Sequence, residues 1–162
     1  MESQAEAIYF YKAYDPYGCF SNFSPHPIYC DGIHWSTVEH FYQAQKFVTT
    51  PDAAIIPVIH SAPTPEAAAA LGRSPRYSPR HDWERVKQAV MWQGVLKKFT
   101  THIEIAEILL GTGDAEIIED SPVDYYWGCG KDKTGYNHLG KLLMKVRQYL
   151  RQNSQWKISC IE

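Results

Sequence analysis

The stretch WSTVEHFYQAQKF at residues 35–47 predicts one short helix around which the rest of the chain is arranged. Ser36 is a good N-cap, and Glu39 follows three residues later, which is the spacing of a capping box. On a helical wheel at about 100° per residue, Glu39, Gln43 and Lys46 fall within an arc of roughly 60°. The stretch therefore predicts a carboxylate, an amide and an amine on one face of the helix.

Aromatic and aliphatic side chains surround this polar face. The residues that point elsewhere and can fill a core are Val38, Phe41 and Ala44, and the rings that flank the face are Trp35, Tyr42 and Phe47. Two interpretations stay open. Either the face binds a polar, ring-containing ligand, or Glu39 only caps the helix and forms a surface pair with Lys46. The aromatic flanks favour the ligand site, because a purely solvated face rarely carries so much ring surface.

The composition limits the possible classes of function. The chain has 162 residues, which is enough for one domain with a real core. Its net charge is −2 and it has no long basic run, so we do not expect it to grip a long nucleic-acid backbone. A small nucleotide ligand is compatible with this composition, and the aromatic share of 14% provides rings for stacking.

The sequence contains no metal-binding motif and no membrane signal. None of the four cysteines forms a Cys-x-x-Cys pair, and neither His-x-x-x-His nor His-Glu-x-x-His occurs, so we expect no zinc site. Nothing indicates an organic cofactor. The longest apolar runs fall far short of a membrane span, and no signal peptide opens the chain. We therefore expect a reduced, cytoplasmic protein that does not engage a membrane.

The first half of the chain predicts a strand at residues 8–11, a hairpin and two helices. The hairpin joins two apolar runs around Asp31-Gly32, which is the strongest short signal for a two-residue turn, and it leads directly into the helix at residues 35–47. A further helix is predicted with Thr64 as N-cap, Pro65 at its first position and Gly72 as its stop.

The second half predicts three helices and one strand. A long helix over residues 83–99 should bury a stripe formed by Val86, Ala89, Val90 and Leu96. Thr101 and Glu104 form a capping box for a helix that ends at Gly111, residues 115–119 are strand-like, and Asn137 caps a last helix. The apolar stripe of that helix comprises Leu139, Leu142, Leu143, Val146, Tyr149 and Leu150. Strands first and helices later predict an α+β fold with a small sheet.

Three loops carry residues that could bind a ligand. In the first, Ser21 and Asn22 either bind a ligand or fold back on their own backbone. Another contains Arg73, Arg76 and Arg80, which either form a solvated linker or contact phosphate, since arginine forks match phosphate oxygens. The third, residues 124–130 (DYYWGCG), combines an acid, three aromatic rings and two glycines.

The residue types fit cleavage of a bond between a ribose and a base. Two carboxylates, such as Glu39 and Asp124, can serve as acid and base in glycosidic cleavage. A desolvated lysine such as Lys46 can attack the carbonyl-like carbon of a sugar and form a Schiff base. No local Ser-His-Asp or Cys-His arrangement competes with these chemistries.

Five segments resemble the YbiA-like family, also called the NADAR (NAD and ADP-ribose) superfamily, and they follow the family's order over residues 18–147. They are GCFSNF at 18–23, the stretch at 35–47, RHDW at 80–83 with Lys87 and Met91, SPVDYYWG at 121–128, and GYNHLG at 135–140 with Leu143, Met144 and Arg147. The resemblance implies a single compact α+β domain over residues 1–162, mostly helical with a small sheet, in which residues 1–7 and 152–162 are peripheral.

The resemblance also implies an N-glycosidase that hydrolyses the bond between a base-like nitrogen and a ribosyl carbon. Its expected substrates are reactive ribosylamino-pyrimidine phosphates early in riboflavin synthesis, which it would clear as damaged or surplus metabolites. The alternatives are hydrolysis of ADP-ribosyl-guanine in nucleic acid, and a non-catalytic module that binds ADP-ribose or another nucleotide.

Carried onto this chain, the resemblance implies Lys46, Glu39 and Asp124 as catalytic residues. Lys46 would engage the ribosyl C1 carbon, and Glu39 or Asp124 would act as acid or base. The residues expected to bind substrate are Phe20, Ser21, Asn22, Gln43, Arg80, Trp127, Gly128 and Asn137.

Overall fold

The structure is a computed structural model that describes residues 6–159, with side chains up to residue 157. The predicted loose N-terminus and peripheral tail therefore lie partly outside the described residues. The chain divides into two compact units, which we describe separately. Unit 1 comprises residues 1–24 and 99–162, and unit 2 comprises residues 25–98. No helix in the described part is long and apolar enough to cross a membrane.

Unit 1 contains a parallel pair of short strands and three helices. Strand β1 (Ile8–Phe10) pairs with β4 (Ile117–Glu119), with Ile8 opposite Ile117. The helices that lie in this unit are α5 (Ile103–Gly111), α6 (His138–Gln152) and α7 (Trp156–Ser159). Trp156 is buried, and its indole N–H donates to Leu150 O at 3.1 Å.

The apolar face of α6 forms much of the core of unit 1. Its buried residues include Leu139, Leu142, Leu143, Val146 and Leu150, so most of the predicted stripe is confirmed. The guanidinium of Arg147 is also buried there, and it donates to Thr112 Oγ1 at 2.8 Å and to Ala115 O at 2.9 Å. These bonds satisfy a cation inside the core, where an unpaired charge would be costly.

Unit 2 opens with the predicted hairpin. Strands β2 (Ile28–Cys30) and β3 (Ile33–Trp35) pair antiparallel, and the turn residues Asp31 and Gly32 have φ angles of 51° and 79°. Positive φ at both positions is the signature of a type I′ turn. Its helices are α1 (Val38–Gln45), α2 (Ile56–His60), α3 (Pro65–Arg73) and most of α4 (Trp83–Thr101). The predicted α+β class, mostly helical with a small sheet, is confirmed.

Helix α4 differs from its sequence prediction in two ways. Its buried row is Trp83, Met91, Val95 and Phe99, whereas Ala89 is exposed and Val86, Val90 and Leu96 are half-buried. These buried residues are separated by eight, four and four positions, so they lie along one i±4 row of the helix. The predicted stripe was displaced around the helix from this row. The predicted capping box at Thr101 and Glu104 is also wrong, because α4 continues through Thr101 and His102 precedes α5.

Candidate active site

The start of α1 is set by Thr37 and not by the predicted Ser36. Thr37 Oγ1 accepts from the backbone N–H of His40 at 3.2 Å and lies 2.8 Å from His40 Nδ1. His40 Nε2 lies 3.0 Å from the carbonyl of Ala62, an acceptor, so Nε2 donates and Nδ1 accepts the hydroxyl proton of Thr37. Glu39 is consequently not the acidic partner of a capping box, and its carboxylate instead contacts another side chain.

The carboxylate of Glu39 is held by Gln43 on the next turn of α1. Gln43 Nε2 donates to Glu39 Oε1 at 2.7 Å, and both residues are buried, with exposed fractions of 1% and 4%. The predicted alignment of the two side chains on one helix face is confirmed. Burial also excludes the alternative in which Glu39 belongs to an ordinary surface pair. A buried carboxylate with a fixed hydrogen-bond partner is suited to acid–base chemistry.

Gly72 of α3 brings a second helix against this pair. A Cβ atom added at Gly72 would lie 2.1 Å from Gln43 Oε1, so only glycine permits the observed approach. Gln43 Oε1 is buried and has no hydrogen-bond partner in the described part of the chain. Gly72 was predicted to stop the helix, but α3 continues through Arg73. A glycine within an alanine-rich helix was the available sequence signal for close packing.

Lys46 completes the cluster at the C-terminal end of α1. Its Nζ donates to the carbonyl of Gly72 at 3.4 Å and lies 5.8 Å from the centroid of the Tyr42 ring. Burial is the main cause that lowers the pKa of Lys46 to about 8; Arg73 also lowers it, whereas Glu39 raises it. About a tenth of the Lys46 amines would then be neutral at pH 7, far more than for an ordinary lysine.

Arg80 contacts the backbone of Lys46 and the side chain of Asp82. Its backbone N–H donates to Lys46 O at 2.7 Å. Its guanidinium forms a fork with Asp82, in which Nε donates to Oδ1 at 2.5 Å and Nη2 donates to Oδ2 at 2.9 Å. This pair holds the pKa of Asp82 below its ordinary value. The phosphate contact predicted for Arg80 stays a prediction, and a phosphate would have to share this guanidinium with Asp82.

The candidates near the N-terminus of unit 1 have partners within that unit, and their substrate-binding roles stay predictions. Phe20 is 1% exposed and packs against the rings of Phe10, Tyr17 and Phe99, so its ring faces other side chains. Ser21 Oγ accepts from the backbone N–H of Phe23 at 3.1 Å, which agrees with the interpretation that this loop folds back on itself. Asn22 is largely buried, with an exposed fraction of 9%.

The candidates near β4 also have partners within unit 1. Asp124 Oδ1 accepts from the backbone N–H groups of Tyr126 at 2.9 Å and Trp127 at 2.7 Å, so this carboxylate organises its own loop. Trp127 is largely buried, and its ring meets the Tyr126 ring edge to face at 4.8 Å. Their binding or catalytic roles stay predictions.

Asn137 and Gly128 also lie in this part of unit 1. Asn137 occupies the predicted N-cap position of α6, but its side chain makes no capping bond. Instead its Oδ1 accepts from Glu119 N and its Nδ2 donates to Ile117 O, both at 2.9 Å, so the side chain fastens α6 to β4. A Cβ at Gly128 would lie 2.9 Å from Asp124 O, so this glycine permits a close backbone approach. Both residues thus make internal contacts, and their substrate-binding roles stay predictions.

The described residues include no group of three or more histidine, cysteine, aspartate or glutamate side chains that could hold a metal ion.

The cluster that the structure does assemble lies within unit 2 and consists of Glu39, Gln43, Lys46, Gly72 and Arg73. Arg73 Nη2 lies 4.0 Å from Glu39 Oε1. Sequence reasoning found the three members on α1 and missed the use of Gly72 and the approach of Arg73 to Glu39.

Comparisons with known proteins agree on one family. The model of the NADAR domain matches residues 9–151. An N-glycosidase of Nostoc punctiforme is 60% identical over 144 residues, which cover 89% of this chain and 92% of that protein. A chloroplastic riboflavin biosynthesis protein of Zea mays, PYRR, is 42% identical over 89% of this chain but only 25% of its own length. The solved structure of YbiA from Escherichia coli superimposes with a TM-score of 0.83 at 41% identity, covering 93% of this chain and 88% of that one.

Proposed function

This chain belongs to the NADAR domain family and is an N-glycosidase, and on that premise we propose that it hydrolyses ribosylamino-pyrimidine phosphates of riboflavin biosynthesis. The relative from Zea mays is named for that pathway, and the relative from Nostoc punctiforme is named an N-glycosidase. The observation that carries the mechanism is the half-buried Lys46 beside the buried carboxylate of Glu39. In this role the enzyme would remove reactive intermediates that are damaged or in surplus.

Lys46 is the proposed nucleophile. Its neutral amine has a lone pair that can attack the ribosyl C1 carbon, forming a carbon–nitrogen bond to Lys46 while the bond from C1 to the base nitrogen breaks. The departing base nitrogen keeps the bonding electron pair and takes up a proton. The Lys46 nitrogen then loses a proton while the bond between C1 and the ring oxygen breaks and that oxygen takes up a proton, which gives an open-chain Schiff base. Water adds to C1 of this Schiff base and the bond from C1 to Lys46 breaks, which releases the ribose phosphate as its aldehyde and returns the free amine of Lys46.

Glu39 is the proposed acid and base in these two steps. It can donate the proton that the departing base nitrogen needs, and as a carboxylate it can then accept a proton from the attacking water. Gln43 fixes the orientation of Oε1 through its hydrogen bond at 2.7 Å. Asp124 stays the alternative acid or base, although its Oδ1 already accepts two backbone hydrogen bonds.

The protonation state of Lys46 leads to a prediction about pH. We expect kcat/KM to rise with pH along a limb with a pKa near 8, because only the neutral amine attacks. In Arg73→Gln this limb should move to higher pH, since the positive charge of Arg73 helps to lower the pKa of Lys46. The check is a pH–rate profile of both proteins. A profile without a limb in this range would argue against attack by Lys46.

The substrate is tested by a mass-spectrometric product assay on two compounds in parallel. One is a ribosylamino-pyrimidine phosphate and the other is an oligonucleotide that carries ADP-ribosylated guanine. We expect release of the free pyrimidine and of ribose phosphate from the first compound only. Cleavage of the oligonucleotide alone would overturn the proposed substrate in favour of ADP-ribosyl-guanine in nucleic acid.

A further inference from the structure

Of the three arginines at or after the end of α3, which are Arg73, Arg76 and Arg80, Arg80 already binds a carboxylate. Its fork with Asp82 uses Nε and Nη2 at 2.5 and 2.9 Å, and Asp82 Oδ2 also lies 3.8 Å from Arg85. A phosphate would have to compete with this two-point pair, in which both charges already have partners. An anion bound near Lys46 would therefore need another cation.

Arg73 is placed differently. It belongs to the last turn of α3, directly after Gly72, whose carbonyl accepts from Lys46 Nζ. Its side chain is 64% exposed, and Nη2 lies 4.0 Å from Glu39 Oε1, the outer limit of an ion pair. A guanidinium has five N–H donors in a rigid fork. Arg73 thus presents donors to solvent right beside the buried carboxylate and amine of the candidate site.

The charges around Lys46 favour an anion. The charged residues that influence the Lys46 amine are two carboxylates, Glu39 and Glu84, and two further cations, Arg73 and Lys87. With Lys46 protonated this set has three positive and two negative charges, so a bound phosphate would compensate the excess positive charge. Glu84 Oε2 lies 2.5 Å from Lys87 Nζ, so Lys87 already has a partner. Of the two cations Arg73 and Lys87, Arg73 has the more exposed side chain.

We propose that Arg73 binds the phosphate group of the ribosyl substrate and so makes the enzyme specific for phosphorylated ribosides. This inference rests on the proposed function, in which Lys46 engages C1 of the ribose. The guanidinium of Arg73 would hold two phosphate oxygens, and the ion pair with Glu39 would fix the orientation of that fork. A phosphomonoester and the diphosphate of a nucleotide share this chemistry, and binding experiments separate them.

The test is titration calorimetry with two ribitol compounds, which have no bond between C1 and a base nitrogen for the enzyme to cleave, and with a nucleotide whose integrity is checked by mass spectrometry. The ligands are ribitol 5-phosphate, ribitol and ADP. We expect Arg73→Gln to weaken the binding of ribitol 5-phosphate or ADP by at least about tenfold, because a charge-assisted fork is lost. The one of these two ligands that binds wild type more tightly shows whether the site prefers a phosphomonoester or a diphosphate. Arg73→Lys should show an intermediate loss, since it keeps the charge and loses the fork.

The matched control is Arg76→Gln, which removes the same charge from another exposed arginine only three residues away. It should change each affinity by less than about twofold. Equal affinities of wild type and Arg73→Gln for both phosphorylated ligands would overturn the inference. So would an equal loss in Arg76→Gln, or failure of wild type to bind either ligand more tightly than ribitol. Binding is measured without turnover, so a negative product assay with intact Arg73-dependent binding would contradict the proposed substrate alone.

Discussion

Replacement of Lys46 by alanine is expected to lower kcat/KM by at least about a thousandfold while the protein stays folded. The change removes the amine that forms the bond to C1, and no other group described near Glu39 can replace it. The backbone bond from Arg80 N to Lys46 O persists, because alanine keeps the main chain. Steady-state kinetics by mass spectrometry, together with thermal unfolding, give both readouts.

The fold should tolerate this change for an electrostatic reason. The folded-state pKa of Lys46, about 8, lies below its ordinary value of 10.5. The unfolded chain therefore binds more protons between these values, and this residue makes stability rise with pH across that window. Lys46→Ala should abolish this rise and leave the protein at least as stable near pH 7. Loss of activity through unfolding would appear instead as a lowered Tm.

Lys141 of α6 provides the matched control, because it is an exposed helical lysine in unit 1. Lys141→Ala should retain wild-type kcat/KM. Reduction with borohydride in the presence of substrate should attach the sugar to wild type at Lys46 and leave Lys46→Ala unmodified. Full activity of Lys46→Ala, or an adduct at another lysine, would remove Lys46 from the mechanism.

Gly72→Ala is expected to have the second-largest effect, lowering kcat/KM by about a hundredfold and the free energy of unfolding by about 1–3 kcal/mol. The new Cβ would lie 2.1 Å from Gln43 Oε1 and 2.8 Å from Gln43 Cβ, so a rotation of the amide alone cannot relieve the overlap. Either α3 moves away, which withdraws the carbonyl from Lys46, or Gln43 turns and releases Glu39. Each response disturbs one of the two proposed catalytic residues.

Gly111→Ala is the matched control for this substitution. Gly111 is the last residue of α5, and a Cβ added there would meet no atom within 4 Å. Alanine should raise stability by up to about 1 kcal/mol through helix propensity, with unchanged activity. Kinetics and chemical unfolding of both variants separate the contact at Gly72 from the general effect of replacing a helical glycine. Equal kcat/KM and equal free energy of unfolding of the two variants would show that the close approach at Gly72 has no role in activity.

Local periodicity was enough to predict the centre of the candidate site. Glu39 and Gln43 meet because side chains four residues apart on a helix are neighbours, whatever packs around the helix. The Asp31-Gly32 turn and the apolar face of α6 were predictable for the same reason, since both depend on residues close together in sequence. The start of α1 was missed by one residue, because Ser36 and Thr37 are both good caps and sequence pattern alone does not choose between them.

The sequence by itself determined the α+β class, the hairpin, and the alignment of Glu39, Gln43 and Lys46 on one short helix. Only the tertiary structure decided that Gly72, which lies 26 residues beyond Lys46, supplies a carbonyl to its amine. Tertiary structure also fastened Asn137 to β4 across 18 residues. The physical reason is that helix and strand periods encode which side chains share a face, whereas the partner opposite that face is set by how whole elements pack.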